Sequence, residues 1–259
     1  MDNRPLIDIE ETFGDFVEEF GGIVSDRLPR KPDQPRNADF IFNEGKVIAE
    51  LKQLKEDPFK NKDFRKSFEK KNREWLDKGY ITSVELQKVT SIKQLPDKCY
   101  DDILKLYMRP VKYAIEEANK QIKATKASLG VADYKGLVMI ASDGNYFLEP
   151  YSIRFFVGRL LNNPNKYRSI NTGLYFTANI VTVRPDDPSF SRLWVRLYRD
   201  KDYFENVSLD FLNRLYNGWF KHYQQVTGIT LDNINETNEE GITEIDMLEQ
   251  TRFVKPPKL

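Results

Sequence analysis

Two acids and a lysine share one short apolar stretch of this chain. Asp39 opens the run ADFIF, Glu50 and Lys52 stand two apart in VIAELKQL, and the polar link NEGK joins the two runs. Two apolar-rich runs joined by a short glycine-containing link signal a β-hairpin. A period of two puts Glu50 and Lys52 on one face of their strand, and antiparallel pairing brings Asp39 alongside. Carboxylate oxygens suit a hard cation such as Mg²⁺, which keeps several waters and binds through one or two carboxylates plus phosphate oxygens. Such an ion activates a bound water and neutralises charge developing on phosphorus, and a neighbouring lysine can position or deprotonate that water and steady the transition state. Charged groups inside an apolar strand cost free energy unless they are paired or bind metal. The competing reading is therefore an edge strand with Lys52 salt-bridged to Asp39 or Glu50. Glu44/Lys46, Glu69/Lys71 and Asp133/Lys135 repeat the acid-x-lysine spacing, but they fall in the turn, on a charged helix and in a loop.

The elements around this hairpin follow from periodicity. Ile9, Phe13, Phe16, Val17 and Phe20 recur at helical spacing until Gly21-Gly22, which predicts a helix over about 8–20. A short first strand fits 22–28, and 28–37, with three prolines and four charges, reads as an exposed loop. From 55 to 78 the chain is strongly charged, with Phe64, Phe68 and Trp75 on one stripe, which predicts a basic helix laid over the body. Over 99–128 the residues Ile103, Tyr107, Val111, Ala114, Ala118 and Ile122 share a helical face, with Pro110 marking a break or restart. GLVMIAS at 136–142 has the continuous apolarity of a strand buried on both faces. Beyond it come a helix near 149–161, strands near 172–182 and 191–199, and a helix near 207–225.

Composition narrows the class of protein. A chain of 259 residues with 40% hydrophobic and 31% charged residues reads as one soluble globular domain with room for an appendage. Its longest apolar run, 137–141, is far short of the ~20 residues that span a bilayer, and the acidic start MDNRPLIDIEE is unlike a signal peptide. The expectation is a cytoplasmic protein without a membrane partner. Cys99 stands alone, which excludes an intramolecular disulfide framework and any multi-cysteine zinc site. The single histidine, His222, excludes chemistries that need paired histidines and reads as a surface or partly packed helical residue. Catalysis would then fall to carboxylates, lysines and hydroxyls.

The hairpin resembles the PD-(D/E)xK nuclease superfamily, the fold of many restriction enzymes, archaeal junction resolvases and repair exonucleases. The match is Asp39, a gap of ten residues, then Glu50-Leu51-Lys52, set in a helix-strand-strand-strand-helix-strand order that is that superfamily's core. The proline usual before the aspartate is replaced, in Asn37-Ala38-Asp39, at a position that varies in the superfamily. The resemblance implies an α/β fold: a restriction-endonuclease-like core (αβββαβ, a central mixed sheet flanked by helices) over about 8–142, with a C-terminal αββα extension over about 143–228. Together these make one domain over 1–228, followed by an acidic segment over 229–259. It also implies Asp39 and Glu50 as ligands of Mg²⁺, with Mn²⁺ as substitute, and Lys52 as the catalytic lysine. Members often take a further acid from the first helix. At 100° per residue, Glu10 lies about 60° and Glu11 about 160° from Phe13, so Glu10 is the candidate third metal ligand, against a helix-flank glutamate in water. Gln53 points to the other face of its strand and is assigned no chemistry.

Charge is neutral overall but uneven. The stretch 46–75 holds ten Lys/Arg against six Asp/Glu, whereas 229–251 holds seven Asp/Glu and no Lys/Arg. Lys60, Lys62, Arg65 and Lys66 begin a basic run a few residues after the hairpin and are the candidate nucleic-acid contacts, each supplying sequence-independent affinity for a phosphate. The interleaved aromatics either stack on bases or anchor the helix to the core, the second being favoured. No Gly-rich phosphate loop occurs. The expectation is a Mg²⁺-dependent deoxyribonuclease, in a restriction or phage-defence setting, with DNA as partner and a homodimer wherever both strands of a duplex are cut. The alternative is a non-catalytic interaction, immunity or regulatory protein that keeps the nuclease fold.

Overall fold

The computed structural model describes residues 6–27, 37–90, 92–183, 192–229, 234–237 and 252–254. The chain begins with helix α1 (Ile9–Glu19), capped by the Asp8 carboxylate, which accepts hydrogen bonds from the Glu10 and Glu11 amides. Strands β1 (Ile23–Val24), β2 (Phe40–Phe42) and β3 (Val47–Leu54) follow as an antiparallel meander, with Phe40 opposite Ala49 and Phe42 opposite Val47. The hairpin turn departs from simple turn chemistry. Lys46 takes the left-handed backbone (φ 49°), while Gly45 is needed for space, because a Cβ there would sit 2.4 Å from the Phe211 ring.

After β3 come α2 (Lys62–Asp77), α3 (Ser83–Lys88), α4 (Asp97–Tyr107) and α5 (Arg109–Leu129). Pro110 lies in the first turn of α5, where its missing N–H costs nothing, so it restarts rather than kinks the helix. Gly130 closes α5 in a left-handed cap (φ 69°). Then β4 (Lys135–Ser142) returns parallel to β3 along its whole length, from Val47 opposite Lys135 to Leu54 opposite Ser142. Such a return needs a crossover connection, which α5 supplies. The remainder is α6 (Pro150–Leu161), β5 (Thr172–Thr177), β6 (Val181–Val183), β7 (Arg192–Tyr198), α7 (Leu209–Thr227), β8 (Ile234–Thr237) and β9 (Arg252–Val254). The main sheet is mixed and seven-stranded, in the order β1-β2-β3-β4-β5-β7-β8, and β6 pairs with β9 apart from it.

Alternation along β3 sorts side chains to two faces. Val47, Ala49 and Leu51 join the core beneath α1 and α7 with Phe13, Trp219 and Met139, and Ile48 joins the core beneath α5 and α6 with Ile115, Ile122 and Ile140. Glu50 and Lys52 therefore belong to the α5 face and Gln53 to the α1 face. A third, smaller core of Trp75, Ile81, Cys99 and Ile103 holds α2 and α4 together as a helical lobe inserted between β3 and α5. The stretch expected as one strand over 172–182 divides at Asn179, whose side chain accepts from the Ile7 amide (3.0 Å) and donates to the Ile7 carbonyl (2.9 Å). Of the acidic segment, 234–237 forms the edge strand beside β7, parallel to it. Among the described residues, no helix is long and apolar enough to cross a membrane.

Candidate active site

Asp39 immediately precedes β2, and continuing the register Phe40–Ala49 sets it opposite Glu50. The two residues are tied at the backbone. The Asp39 amide donates to Glu50 Oε2 (3.0 Å), and the Leu51 amide donates to Asp39 Oδ2 (2.8 Å). Lys52 Nζ reaches back to Glu50 Oε1 at 2.5 Å. Asp39, Glu50 and Lys52, singled out by spacing, are thus brought into one hydrogen-bonded group. Glu50 is fully buried, Asp39 is 8% exposed, and the Lys52 side chain is 19% exposed.

Burial of the Glu50 carboxyl, reinforced by the neighbouring Asp39 charge, pushes its pKa up to about 7, against the opposing pull of Lys52. A positive charge between the two carboxylates would relieve that repulsion, and a carboxylate oxygen accepting one hydrogen bond keeps a second lone pair for a ligand. The donor set of two oxygen acids fits a hard divalent cation that retains water.

Helix α5 orients this group. Gln121, 6% exposed, accepts from Lys52 Nζ (2.7 Å) through Oε1 and donates to the Asn37 carbonyl (3.3 Å) through Nε2. One turn on, the buried Thr125 hydroxyl accepts from the Ala38 amide (2.7 Å) and donates to the Gln121 carbonyl (2.9 Å). The same two side chains therefore hold Lys52 and the backbone leading into Asp39. Neither belongs to the apolar stripe of α5; their signal in the sequence is a pair of polar residues, four apart, flanking Ile122 on a helix whose apolar face must be buried.

Glu10 lies elsewhere. It is exposed on α1, on the opposite face of the sheet from Glu50, and its carboxylate accepts from Gln53 Nε2 at 3.4 Å. It shares with Asp39 a cavity of about 300 Å³ that Asp8, Glu11, Asp26 and Arg27 also line. Among the described residues, no three His, Cys, Asp or Glu side chains are placed to hold one ion, so Glu10 is not gathered into a ligand set with Asp39 and Glu50.

On the α5 face, Lys52 and Gln121 line a cleft of about 810 Å³ between α2 and α5. Lys55, Arg109 and Tyr113, which the sequence did not single out, line it as well. Lys60, in a short 3₁₀ turn (Pro58–Lys60), and Lys62, Arg65 and Lys66 of α2 are all exposed, on the surface of the helix whose Asn61, Phe64 and Ser67 face the cleft. The α2 aromatics act as anchors: Phe64 and Phe68 pack edge-on to Phe59, Phe64 stacks on Tyr107, and buried Trp75 donates to Asp102 (3.3 Å). His222, expected on the surface or partly packed, is 6% exposed on α7 with Nδ1 at 2.8 Å from Glu19 Oε2, joining α7 to α1 far from this group in sequence. Comparison of the chain with protein-family models, curated proteins and solved structures found no significant match.

Proposed function

We propose that this protein is a metal-dependent nuclease that hydrolyses DNA phosphodiester bonds, built on a PD-(D/E)xK type site in a restriction-endonuclease-like core. The observation that carries the proposal is the hydrogen-bonded group of Asp39, Glu50 and Lys52, whose lysine lines an open cleft. The fold reading draws support from the antiparallel β1-β2-β3 meander followed by the α5 crossover to a parallel β4. Asp39 and Glu50 would hold Mg²⁺ or Mn²⁺, which when bound supplies Lewis-acid stabilisation of charge on the phosphate and a more acidic water. The chain's own residues do the rest. Lys52, held by Glu50 and Gln121, would steady the attacking water and the charge on the phosphate oxygens. Lys60 in the turn before α2, with Lys62, Arg65 and Lys66 on the helix surface, would attract the backbone without reading sequence. A restriction or phage-defence role is a natural setting for this activity.

The Lys52–Glu50 ion pair favours one alternative, an interaction or regulatory protein in which that pair only satisfies a buried charge. Incubating purified protein with supercoiled, linear and single-stranded DNA in Mg²⁺, Mn²⁺ or EDTA separates the two. The nuclease reading expects metal-dependent cutting that Lys52→Ala abolishes while its thermal unfolding stays cooperative. Intact DNA in every metal would support the interaction protein instead.

A further inference from the structure

We propose that the cleft between α2 and α5 receives a single, unpaired DNA strand, with Tyr113 as a stacking surface for its bases and Lys55 and Arg109 as contacts to its phosphates. The placing of a scissile phosphate beside Lys52 rests on the function proposed above; the binding of the strand does not.

The cleft lining is the first reason. Its cationic side chains, Lys52, Lys55 and Arg109, are matched by three carboxylates, Glu56, Asp63 and Glu117. A duplex carries a negative charge every ~1.7 Å of its axis and is held chiefly by excess positive charge. A charge-balanced cleft suits a ligand of lower charge density that gains affinity from stacking. The second reason is Tyr113 itself, 68% exposed although it lines a cleft. Base faces inside a duplex are covered by their neighbours, so an aromatic platform serves only bases that have left the stack. Position is the third reason. Arg109, Tyr113, Glu117 and Gln121 recur every four residues along one face of α5, and all line the cleft. Tyr113 precedes Gln121 by eight residues, ~12 Å along the axis, or on the order of three nucleotides of a stacked strand. A strand lying along α5 would thus meet Arg109 and Tyr113 before reaching Lys52. Lys52 lines the cleft beside Gln121, so a strand lying along α5 passes within reach of that ammonium.

The test is fluorescence anisotropy of the full chain with a labelled oligothymidylate and a labelled hairpin duplex in EDTA, for wild type, Tyr113→Ala, Tyr113→Phe and Arg109→Ala. The expected result is tighter binding of the single strand, weakened about tenfold by Tyr113→Ala and retained by Tyr113→Phe, with duplex binding unmoved by either. Arg109→Ala should reduce the salt dependence of single-strand binding by about one phosphate contact. Equal affinity for both DNAs, or single-strand binding indifferent to Tyr113→Ala, overturns the proposal. Cleavage in Mg²⁺, followed in parallel, keeps the two claims apart. Tyr113-dependent binding without cutting supports the cleft assignment and contradicts the nuclease, whereas cutting of single strands below saturation that is unaffected by Tyr113→Ala overturns the cleft assignment alone.

Discussion

Glu50 is the residue on which the site's energetics turn. Its carboxyl titrates near 7 in the folded chain and near ~4.3 when unfolded, so over that interval the native state holds a proton that the unfolded state has released. The stability this group contributes is therefore full below about pH 4, declines as pH rises, and is lost above about pH 7. The loss is on the order of a few kcal/mol, since each pKa unit is worth ~1.4 kcal/mol. Glu50→Gln keeps the shape and removes the charge. In EDTA the variant should show a flatter dependence of Tm on pH between about 4 and 7 than wild type, and in Mg²⁺ it should not cut DNA. Thermal unfolding across the pH range checks the first point; a variant whose Tm falls with rising pH as steeply as wild type's would contradict it. At this scale the sequence was informative, because a period of two and an antiparallel hairpin suffice to bring Asp39, Glu50 and Lys52 together. It was silent on Gln121 and Thr125, because a buried polar residue announces itself only once its partner, distant in the chain, is known.

Among the elements, α5 does most to shape the site, since it carries both Gln121 and the cleft face. Gln121→Ala removes the acceptor of Lys52 and the donor to Asn37, which should cost about 1–3 kcal/mol by urea denaturation. A misplaced Lys52 should also lower the single-turnover cutting rate by up to about a hundredfold. A rate unchanged in a destabilised variant would make Gln121 a packing residue only. Helix α2 tests the nucleic-acid surface. Combining Lys62→Ala with Arg65→Ala should lower the salt slope of DNA binding by about two, with Tm nearly unchanged because both side chains are exposed. Helix boundaries at Gly21, Pro110 and Gly130 were legible from local chemistry. The strand expected over 172–182 was not, because its break follows from Asn179 binding Ile7, a contact spanning 172 residues.

For the molecule as a whole, the C-terminal half is fastened by a buried cation. Arg199, 2% exposed, donates to the carbonyls of Asn163, Lys166, Tyr167 and Ile170 and lies over the Phe204 ring at 3.3 Å. Burial draws its pKa down to about 10. Arg199→Met leaves those carbonyls without their donor and should cost at least about 3 kcal/mol, measured by urea denaturation, without altering the α2–α5 cleft. Nothing local in the sequence marks Arg199, because its partners are backbone oxygens in a loop. The edge strand Ile234–Thr237 was hidden for a related reason: it lies in a polar, acidic segment, and its pairing with β7 depends on the sheet already being formed. All of this scaffolding matters for function only if Asp39 and Glu50 form a cation site. Calorimetric titration of Mn²⁺ into the full chain, for wild type and Asp39→Ala above and below about pH 7, tests that most directly. The expected result is a saturable site that tightens as Glu50 loses its proton and is absent from a folded Asp39→Ala variant. No saturable binding at either pH, or equal binding by that variant, would contradict it.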